Sequence, residues 1–231
     1  MSALSASPFE LAIFDVDGTL NGIELWWPDL IRQGVQSFAA AEGLQLPLPD
    51  DQQALAVVGN KNEEVWAPFL PAAEKHRWRD LRALVLPLEV ALLRSGVDYR
   101  YPGVVETLTG LRDAGLQLAL ASNCGSEYMA AIAQGQGLAK HTDWQFCLDS
   151  EGVDTKADML RNAMRVAETQ SAVMVGDRVS DQLAALEVGI PFVWRVNTAC
   201  EIRGADGHWD GAPNHLWALL GVSGSAPANP A

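Results

Sequence analysis

The hydrophobic residues of this chain fall into short unbroken runs separated by stretches of helical periodicity. The clearest run, 11–14 (LAIF), stops at two carboxylates, Asp15 and Asp17, and Gly18 follows directly. An apolar run of this length is typical of a strand that is buried on both faces of a parallel sheet. Ligands of open α/β sheets bind at the carboxyl ends of the strands. The run therefore predicts a central strand that carries acidic groups into a site.

From residue 23 to about residue 95 the periodicity is helical, and no convincing strand occurs. Prolines at Pro68, Pro71 and Pro87 interrupt the pattern. A connection of about 75 residues is too long for an ordinary loop in a compact domain. We expect a small helical domain inserted over the strand ends; ordinary helices packed on the sheet are the alternative. The predicted helices cover 29–42, 50–58, 63–70 and 72–93.

Alternation of helices with strands resumes at Tyr101 and continues to about residue 196. This order predicts a Rossmann-like α/β core, a parallel sheet with right-handed crossovers, and an inserted helical cap. The further predicted strands are 116–121, 146–148, 172–175 and 191–196. The predicted boundaries are 1–21 and 97–221 for the core domain, 22–96 for the cap domain and 222–231 for a disordered tail.

Composition limits the classes of function. The 231 residues are 48% hydrophobic, enough for one core domain and a sizeable insertion, and no apolar run approaches the roughly 20 residues that span a bilayer. The first ten residues have no basic segment and no long apolar segment, so we expect no secretory signal. Three widely spaced cysteines, Cys124, Cys147 and Cys200, indicate reduced thiols in a cytoplasm. The net charge of −13 argues against nucleic acid or a membrane as partner, but it leaves a small phosphorylated substrate open, because a bound cation can reverse the local field.

Further polar residues follow the other predicted strands or begin helices. Ser122 and Asn123 follow the second strand, Lys156 begins a helix, and Asp177 and Asp181 follow the fourth strand. Each alone could be a helix cap or a solvated surface group. Together they place a hydroxyl, an amide, an ammonium and up to four carboxylates at one edge of the sheet.

This set of groups suits phosphoryl transfer. A carboxylate can attack phosphorus and form an aspartyl-phosphate. Mg²⁺ takes oxygen ligands and offsets the repulsion between an anionic nucleophile and an anionic substrate. A lysine and a hydroxyl can hold the remaining phosphoryl oxygens, and a second carboxylate can protonate the leaving oxygen and then activate water.

The motifs resemble those of the haloacid dehalogenase superfamily, in its phosphatase branch. DVDGT at 15–19, Ser122 with Asn123, Lys156, and GDRVSD at 176–181 match the four motifs of that family in order. The resemblance implies the haloacid-dehalogenase-like α/β fold and a chemistry that passes through an aspartyl-phosphate.

The resemblance covers the core at about 11–20 and 101–196, and the insertion stands where the family has a helical cap of its first type, C1. The segments YPGVVETLTGLRDAG and MVGDRVSDQLAALEVGIP are most similar to phosphoglycolate-phosphatase-like members. Two segments differ from that pattern: 21–24 reads NGIE instead of Leu-x-Asp-Ser, and Ala157 replaces the proline after the third-motif lysine. Phosphoglycolate and a sugar phosphate are both expected as candidate substrates.

The resemblance implies a role for each residue of the first motif. Asp15 is the catalytic nucleophile and a Mg²⁺ ligand. Asp17 is the general acid and base, and it binds Mg²⁺ through its main-chain carbonyl. Gly18 lets the turn form among the phosphate-binding groups.

The other three motifs complete the implied site. Ser122 and Asn123 bind the phosphoryl group. Lys156 is catalytic and phosphate-binding, since it balances the charge of nucleophile and phosphate. Asp177 and Asp181 complete the metal site.

We therefore expect a Mg²⁺-dependent phosphatase of the cytoplasm, acting on a small phosphorylated metabolite as a monomer or homodimer. A sugar phosphomutase would use the same intermediate, but His76 is the sole histidine of the insertion, and none stands early in it to shuttle the proton. A non-catalytic binding protein on the same fold is the third alternative, and the presence of Asp15 argues against it.

Overall fold

The structure is a computed structural model, and it describes residues 9–197 and 202–222. Its centre is a parallel sheet of six strands in the order β3-β2-β1-β4-β5-β6. The predicted parallel α/β architecture is confirmed. The strands are β1 Leu11–Phe14, β2 Gln117–Ala121, β3 Trp144–Phe146, β4 Ala172–Gly176, β5 Phe192–Arg195 and β6 Gly207–Trp209.

Strand β1 lies in the middle of the sheet, between β2 and β4, and all four of its residues are fully buried. Leu11 and Ile13 point into the hydrophobic cluster on one face, and Ala12 and Phe14 into the cluster on the other. This explains the unbroken apolar run, because a strand covered on both faces has no polar positions.

Helices cover both faces of the sheet. Helices α7 and α8 contribute to one hydrophobic cluster, while α5, α6 and α9 contribute to the other, together with the helices that precede them in the chain. None of the helices in the described ranges is long and apolar enough to cross a membrane. The helices are α1 Trp27–Glu42, α2 Asp51–Ala56, α3 Glu63–Trp66, α4 Trp78–Leu93, α5 Val104–Asp113, α6 Ser126–Gly135, α7 Lys156–Val166, α8 Val179–Val188 and α9 Pro213–Leu219.

Helices α1–α4 form a helical insert, 23–93, between β1 and α5. The chain enters and leaves it through two paired segments: the Gly22 N–H donates to the Tyr99 carbonyl at 2.7 Å, and the Tyr101 N–H donates to the Leu20 carbonyl at 3.0 Å. Main-chain bonds at this point fix where the insert is attached to the sheet, above the end of β1.

Helices α1 and α4 cross closely in the insert. A Cβ on Gly34 would lie 2.2 Å from Cγ2 of Val85, so the crossing needs the glycine. Pro87 stands inside α4. Pro87 and Ala83, whose carbonyl loses its helical partner, both face solvent, so water can satisfy that carbonyl. The expectation that Pro87 interrupts the helix was therefore wrong.

Two other expectations differ from the structure. Strand β3 covers 144–146 rather than 146–148. The sequence predicts β5 as the last strand, but β6 and α9 follow it in the structure. Strand β6 is three residues long and begins with glycine, so it offers no apolar run to detect. Except for Val222, the predicted disordered tail lies outside the described residues, as does Cys200.

Candidate active site

The loop after β1 packs directly against the loop after β4. The Asp15 N–H donates to the Val175 carbonyl at 2.9 Å, and the chain then turns through Gly18 at φ +90°. A Cβ on Gly18 would lie 2.4 Å from Oδ2 of Asp177. Glycine is needed here both for the positive φ and for the close approach.

Asp177 is fully buried at the end of β4, and each of its carboxylate oxygens has partners. Thr19 Oγ1 donates to Oδ1 at 3.1 Å. Asn197 Nδ2 donates to Oδ2 at 2.7 Å, and Arg178 Nε lies 3.2 Å from the same oxygen. These contacts fix the direction in which the carboxylate faces.

Lys156 is the first residue of α7, whose start is fixed by a capping box between Thr155 and Asp158. Its Nζ donates to Oδ1 of Asp15 at 2.5 Å and to Oδ1 of Asp181. Burial lowers the pKa of the Lys156 ammonium, but the charges of Asp15 and Asp181 outweigh burial and hold the pKa above its ordinary value. Lys156 therefore stays charged between two buried carboxylates.

Asp181 lies on the first turn of α8 and is fully buried. The Arg178 N–H donates to its Oδ2 at 3.0 Å, while its Oδ1 accepts from Lys156. A Cβ on Gly176 would lie 2.3 Å from that Oδ2. The glycine at the start of the GDRVSD motif thus leaves room for the acid at its end.

Asp15, Asp177 and Asp181 each offer a carboxylate oxygen within 4.8 Å of the others. Burial raises the pKa values of Asp15 and Asp177, and the Asp181 charge raises both further. Three crowded carboxylates beside one ammonium leave an excess of negative charge, and hard oxygen donors suit Mg²⁺ or a similar cation. The donor set fits a divalent metal.

Without metal, the free energy of unfolding is expected to fall as the pH rises from about 4 to about 7. The raised pKa values of Asp15, Asp17, Asp177 and Glu89 mean that the folded protein binds more protons than the unfolded chain in this interval. The carboxyls with lowered pKa values oppose this slope mainly below the interval; they are Glu42, Asp98, Asp158 and Asp210. The lowered pKa of His141 opposes it within the interval, as one group against four. Urea unfolding in chelator across this interval measures the slope, and added Mg²⁺ should reduce it, because Mg²⁺ replaces the protons. Stability that rises with pH in chelator would contradict the assignment of the cluster.

Asp17 faces away from the three-carboxylate cluster. Tyr128 Oη donates to its carboxylate at 2.9 Å, and Asn21 Nδ2 donates to its Oδ1 at 3.0 Å. Burial and the Asp15 charge raise the pKa of Asp17 to about 7, against the opposing effect of the bonds from Tyr128 and Asn21. A carboxyl with such a pKa can both donate and accept a proton near neutral pH.

Ser122 and Asn123 follow β2, as the sequence predicts. Ser122 is buried, and its N–H donates to the Phe146 carbonyl at 3.1 Å. Asn123 Nδ2 donates to the Gly59 carbonyl of the helical insert at 2.9 Å. The Gly18 N–H is occupied by the Asn21 carbonyl at 2.8 Å, so Gly18 contributes to the turn.

A cavity of about 160 Å³ lies between the sheet edge and the helical insert. Four of the predicted site residues line it: Asp15, Asp17, Ser122 and Asn123. Lys156, Asp177 and Asp181 meet behind Asp15 and do not line it. The predicted residues thus form one site, with Asp15 shared by the cavity and the acidic cluster.

Six cavity-lining residues with polar or charged side chains were not predicted: Asn60, Asn62, Arg82, Glu89, Tyr128 and Asp149. Tyr128 carries no sequence signal, because its contact with Asp17 spans 111 positions. Glu89 could have been noticed, since it is a lone acid on the apolar face of a predicted helix.

A family model described as haloacid dehalogenase-like hydrolase matches residues 9–189. The chain is 30% identical over 186 residues to the phosphoglycolate phosphatase of Caulobacter vibrioides, covering 78% of this chain and 76% of that protein. It is 25% identical over 205 residues to the probable phosphatase IndB of Dickeya dadantii, covering 85% and 86%.

The fold is similar to that of a haloacid dehalogenase-like family hydrolase from Streptococcus pneumoniae. The two structures superpose with a TM-score of 0.76 at 18% identity, over 92% of this chain and 98% of the other. At this identity the likeness concerns the fold alone.

Proposed function

This chain belongs to the haloacid dehalogenase-like hydrolases, and we propose that it is a Mg²⁺-dependent phosphatase that acts through an aspartyl-phosphate. Its phosphatase relatives support a phosphoric monoester hydrolase. One observation carries the proposal: Asp15 lines the cavity and also belongs to the buried carboxylate cluster, with a charged lysine on its Oδ1.

We assign the metal to Asp15, Asp177 and Asp181, with the main-chain carbonyl of Asp17 as a further ligand. Bound there, Mg²⁺ would supply the positive charge that offsets repulsion between the carboxylate nucleophile and the phosphate. Thr19 and Asn197 hold the Asp177 carboxylate in place for this role.

In the proposed reaction, Asp15 attacks phosphorus and the bond to the leaving oxygen breaks. Asp17 gives its proton to that oxygen, and then takes a proton from the water that hydrolyses the aspartyl-phosphate. Tyr128 and Asn21 orient the Asp17 carboxyl for both transfers. Its pKa of about 7 suits a group that must act as acid and then as base.

We assign the phosphoryl oxygens to Ser122, Asn123 and Lys156. Ser122 and Asn123 stand at the cavity beside Asp15, and the Lys156 ammonium approaches from behind it. Gly18 shapes the turn that carries Asp15 and Asp17. Fixed donors of this kind stabilise negative charge as it develops in the transition state.

We propose that 22–96 is a cap domain over a core of 1–21 and 97–221. Four side-chain bonds to main-chain carbonyls join the two parts in the described residues: Asn123 to Gly59 at 2.9 Å, Arg178 Nη2 to Leu55 at 3.4 Å, Lys61 Nζ to Asp154 at 3.4 Å and Gln136 Nε2 to Leu93 at 3.1 Å. Closure of such a cap would exclude water from the site during attack.

A small cytoplasmic metabolite is the proposed substrate, with phosphoglycolate and sugar phosphates as candidates, and the protein is proposed to act as a monomer or homodimer. The free thiols of Cys124 and Cys147 support a reducing compartment. His76 does not line the cavity, which favours hydrolysis over the proton transfers of a phosphomutase.

The test is phosphate release from a panel of phosphomonoesters, including an aryl phosphate, with Mg²⁺ and with chelator. We expect hydrolysis that depends on Mg²⁺, stops in chelator and returns when excess Mg²⁺ is added. Full activity in chelator would refute the metal role, and no release from any ester would refute the phosphatase proposal.

A further inference from the structure

Glu89 is a buried acid on a face of α4 whose other residues are apolar. It lies on α4 in line with Leu81, Val85 and Leu93, each four residues from the next, on the buried face of the helix. Glu89 is 5% exposed. A carboxyl in such a place destabilises the fold unless a partner bonds to it.

Within the described residues, no group donates a hydrogen bond to the Glu89 carboxyl. The charged and titratable groups that act on it are Asp17, Arg82 and Tyr128. The Tyr128 hydroxyl donates its hydrogen bond to Asp17, and among the described residues Arg82 forms no ion pair with Glu89. Burial, with the charge of Asp17, raises the pKa of Glu89 to about 8 against the opposing charge of Arg82.

Glu89 lines the same cavity as Asp15, and the walls near it are largely apolar or aromatic, including Trp27, Trp66 and Leu86. A polar group that is buried, unpartnered and open to a substrate cavity is available to a ligand. We propose that Glu89 is a specificity-determining residue that accepts a hydrogen bond from a hydroxyl or ammonium group on the alcohol portion of the substrate.

This inference rests on the proposed phosphatase function and narrows its substrate class. A substrate that ends in a carboxylate, as phosphoglycolate does, brings no donor to the ionised Glu89 carboxyl. Of the described residues that line the cavity, Arg82 alone is positively charged, and it lies seven residues before Glu89, about two helical turns away. A carboxylate-ended substrate would therefore depend on Arg82, and a donor-bearing one on Glu89.

Four phosphate esters of the same skeleton separate these cases: ethyl phosphate, 2-hydroxyethyl phosphate, phosphoethanolamine and phosphoglycolate. Their three-carbon counterparts place the terminal group one methylene farther from the phosphate, in case the distance to Glu89 requires it. At about pH 9, where most of the Glu89 carboxyl is ionised, we expect kcat/KM to be about ten- to a hundredfold higher for the hydroxyl or ammonium ester than for the alkyl ester, the range for a hydrogen bond to a charged group. The hydroxyl and ammonium members show which donor is preferred.

Glu89→Leu should abolish that preference, so that donor-bearing and alkyl esters react with nearly equal kcat/KM. It should also raise the midpoint of thermal unfolding, since leucine suits a face shared with Leu81 and Val85. Glu64→Leu, which removes an exposed acid of the same insert, should keep the wild-type preference. Glu89→Gln, which keeps an acceptor without the charge, should give an intermediate ratio.

An unchanged ester ratio in Glu89→Leu would overturn the proposal, as would a preference for phosphoglycolate that is lost in Arg82→Met. If the wild-type protein hydrolyses no ester, the phosphatase proposal fails, and calorimetric binding of the same four esters decides the role of Glu89. In the Asp15→Asn background, tighter binding of donor-bearing esters that Glu89→Leu removes would support the role. Equal binding, or no binding, would refute it.

Discussion

Replacing Asp15 by asparagine is expected to lower kcat by about 10⁴-fold or more while the fold persists. The amide has nearly the shape of the carboxylate but cannot attack phosphorus. Its oxygen can still accept the bond that Lys156 now gives to Oδ1 at 2.5 Å. The change also removes one charge from a crowded acidic cluster, so the melting temperature should not fall. Steady-state phosphate release and thermal unfolding measure the two effects.

Asp113→Asn is the matched control, because Asp113 is an exposed acid at the end of α5. It should retain wild-type turnover. Acid quenching of the wild-type reaction, followed by peptide mass analysis, should find the phosphoryl group on the peptide that contains Asp15. Turnover of Asp15→Asn near the wild-type rate, or a phosphoryl group on another peptide, would show that Asp15 is not the nucleophile.

Replacing Lys156 by methionine is expected to lower the free energy of unfolding of the metal-free protein by about 3–5 kcal/mol, as removal of one partner from a buried ion pair typically does. The substitution leaves Asp15 and Asp181 buried without their shared cation. It should also reduce kcat by about 10²–10³-fold, since a fixed donor to the phosphate is lost. Urea unfolding in chelator and phosphate release with Mg²⁺ measure the two losses.

Two variants make the Lys156 result specific. Lys140→Met removes an exposed lysine and should change neither quantity. The double variant of Lys156→Met with Asp181→Asn should recover part of the lost stability, because one of the two stranded charges is gone. A Lys156→Met protein as stable as the wild type in chelator would mean that the cluster does not need this ammonium.

The sequence identified the elements whose burial leaves a pattern. Strands β1, β2, β4 and β5 appear as apolar runs because helices cover the sheet on both faces. Strand β6 is a short sheet edge of sequence GHW, and its place depends on pairing with β5 rather than on its own composition. The prediction that Pro87 interrupts a helix was wrong for a related reason. Helix α4 can contain this proline because Pro87 and the carbonyl that it leaves unbonded face water.

The candidate site likewise contains residues that the sequence could place and contacts that it could not. Asp15, Lys156, Asp177 and Asp181 could be placed together because each stands at a strand end or a helix start, where the topology determines position. The meeting of Tyr128 with Asp17 depends instead on the packing of α6, and no local pattern encodes that distance. The resemblance to a known family named the residues of the reaction, but it gave no guide to the cavity wall at Glu89.

The helical insert is joined to the sheet edge by side chains that bond to its main-chain carbonyls at Leu55 and Gly59. Every amino acid has such a carbonyl, so the bond to Leu55 does not require a particular side chain. At Gly59 the φ of +86° favours glycine, so that position is restricted by its backbone. Over evolutionary time, the insert can therefore change most of its side chains, and with them the molecule that the cavity admits, while it keeps Gly59 and still bonds to Asn123 and Arg178. Relatives with such an insert can therefore differ in the substrate that they bind while the reacting groups at the sheet edge stay the same.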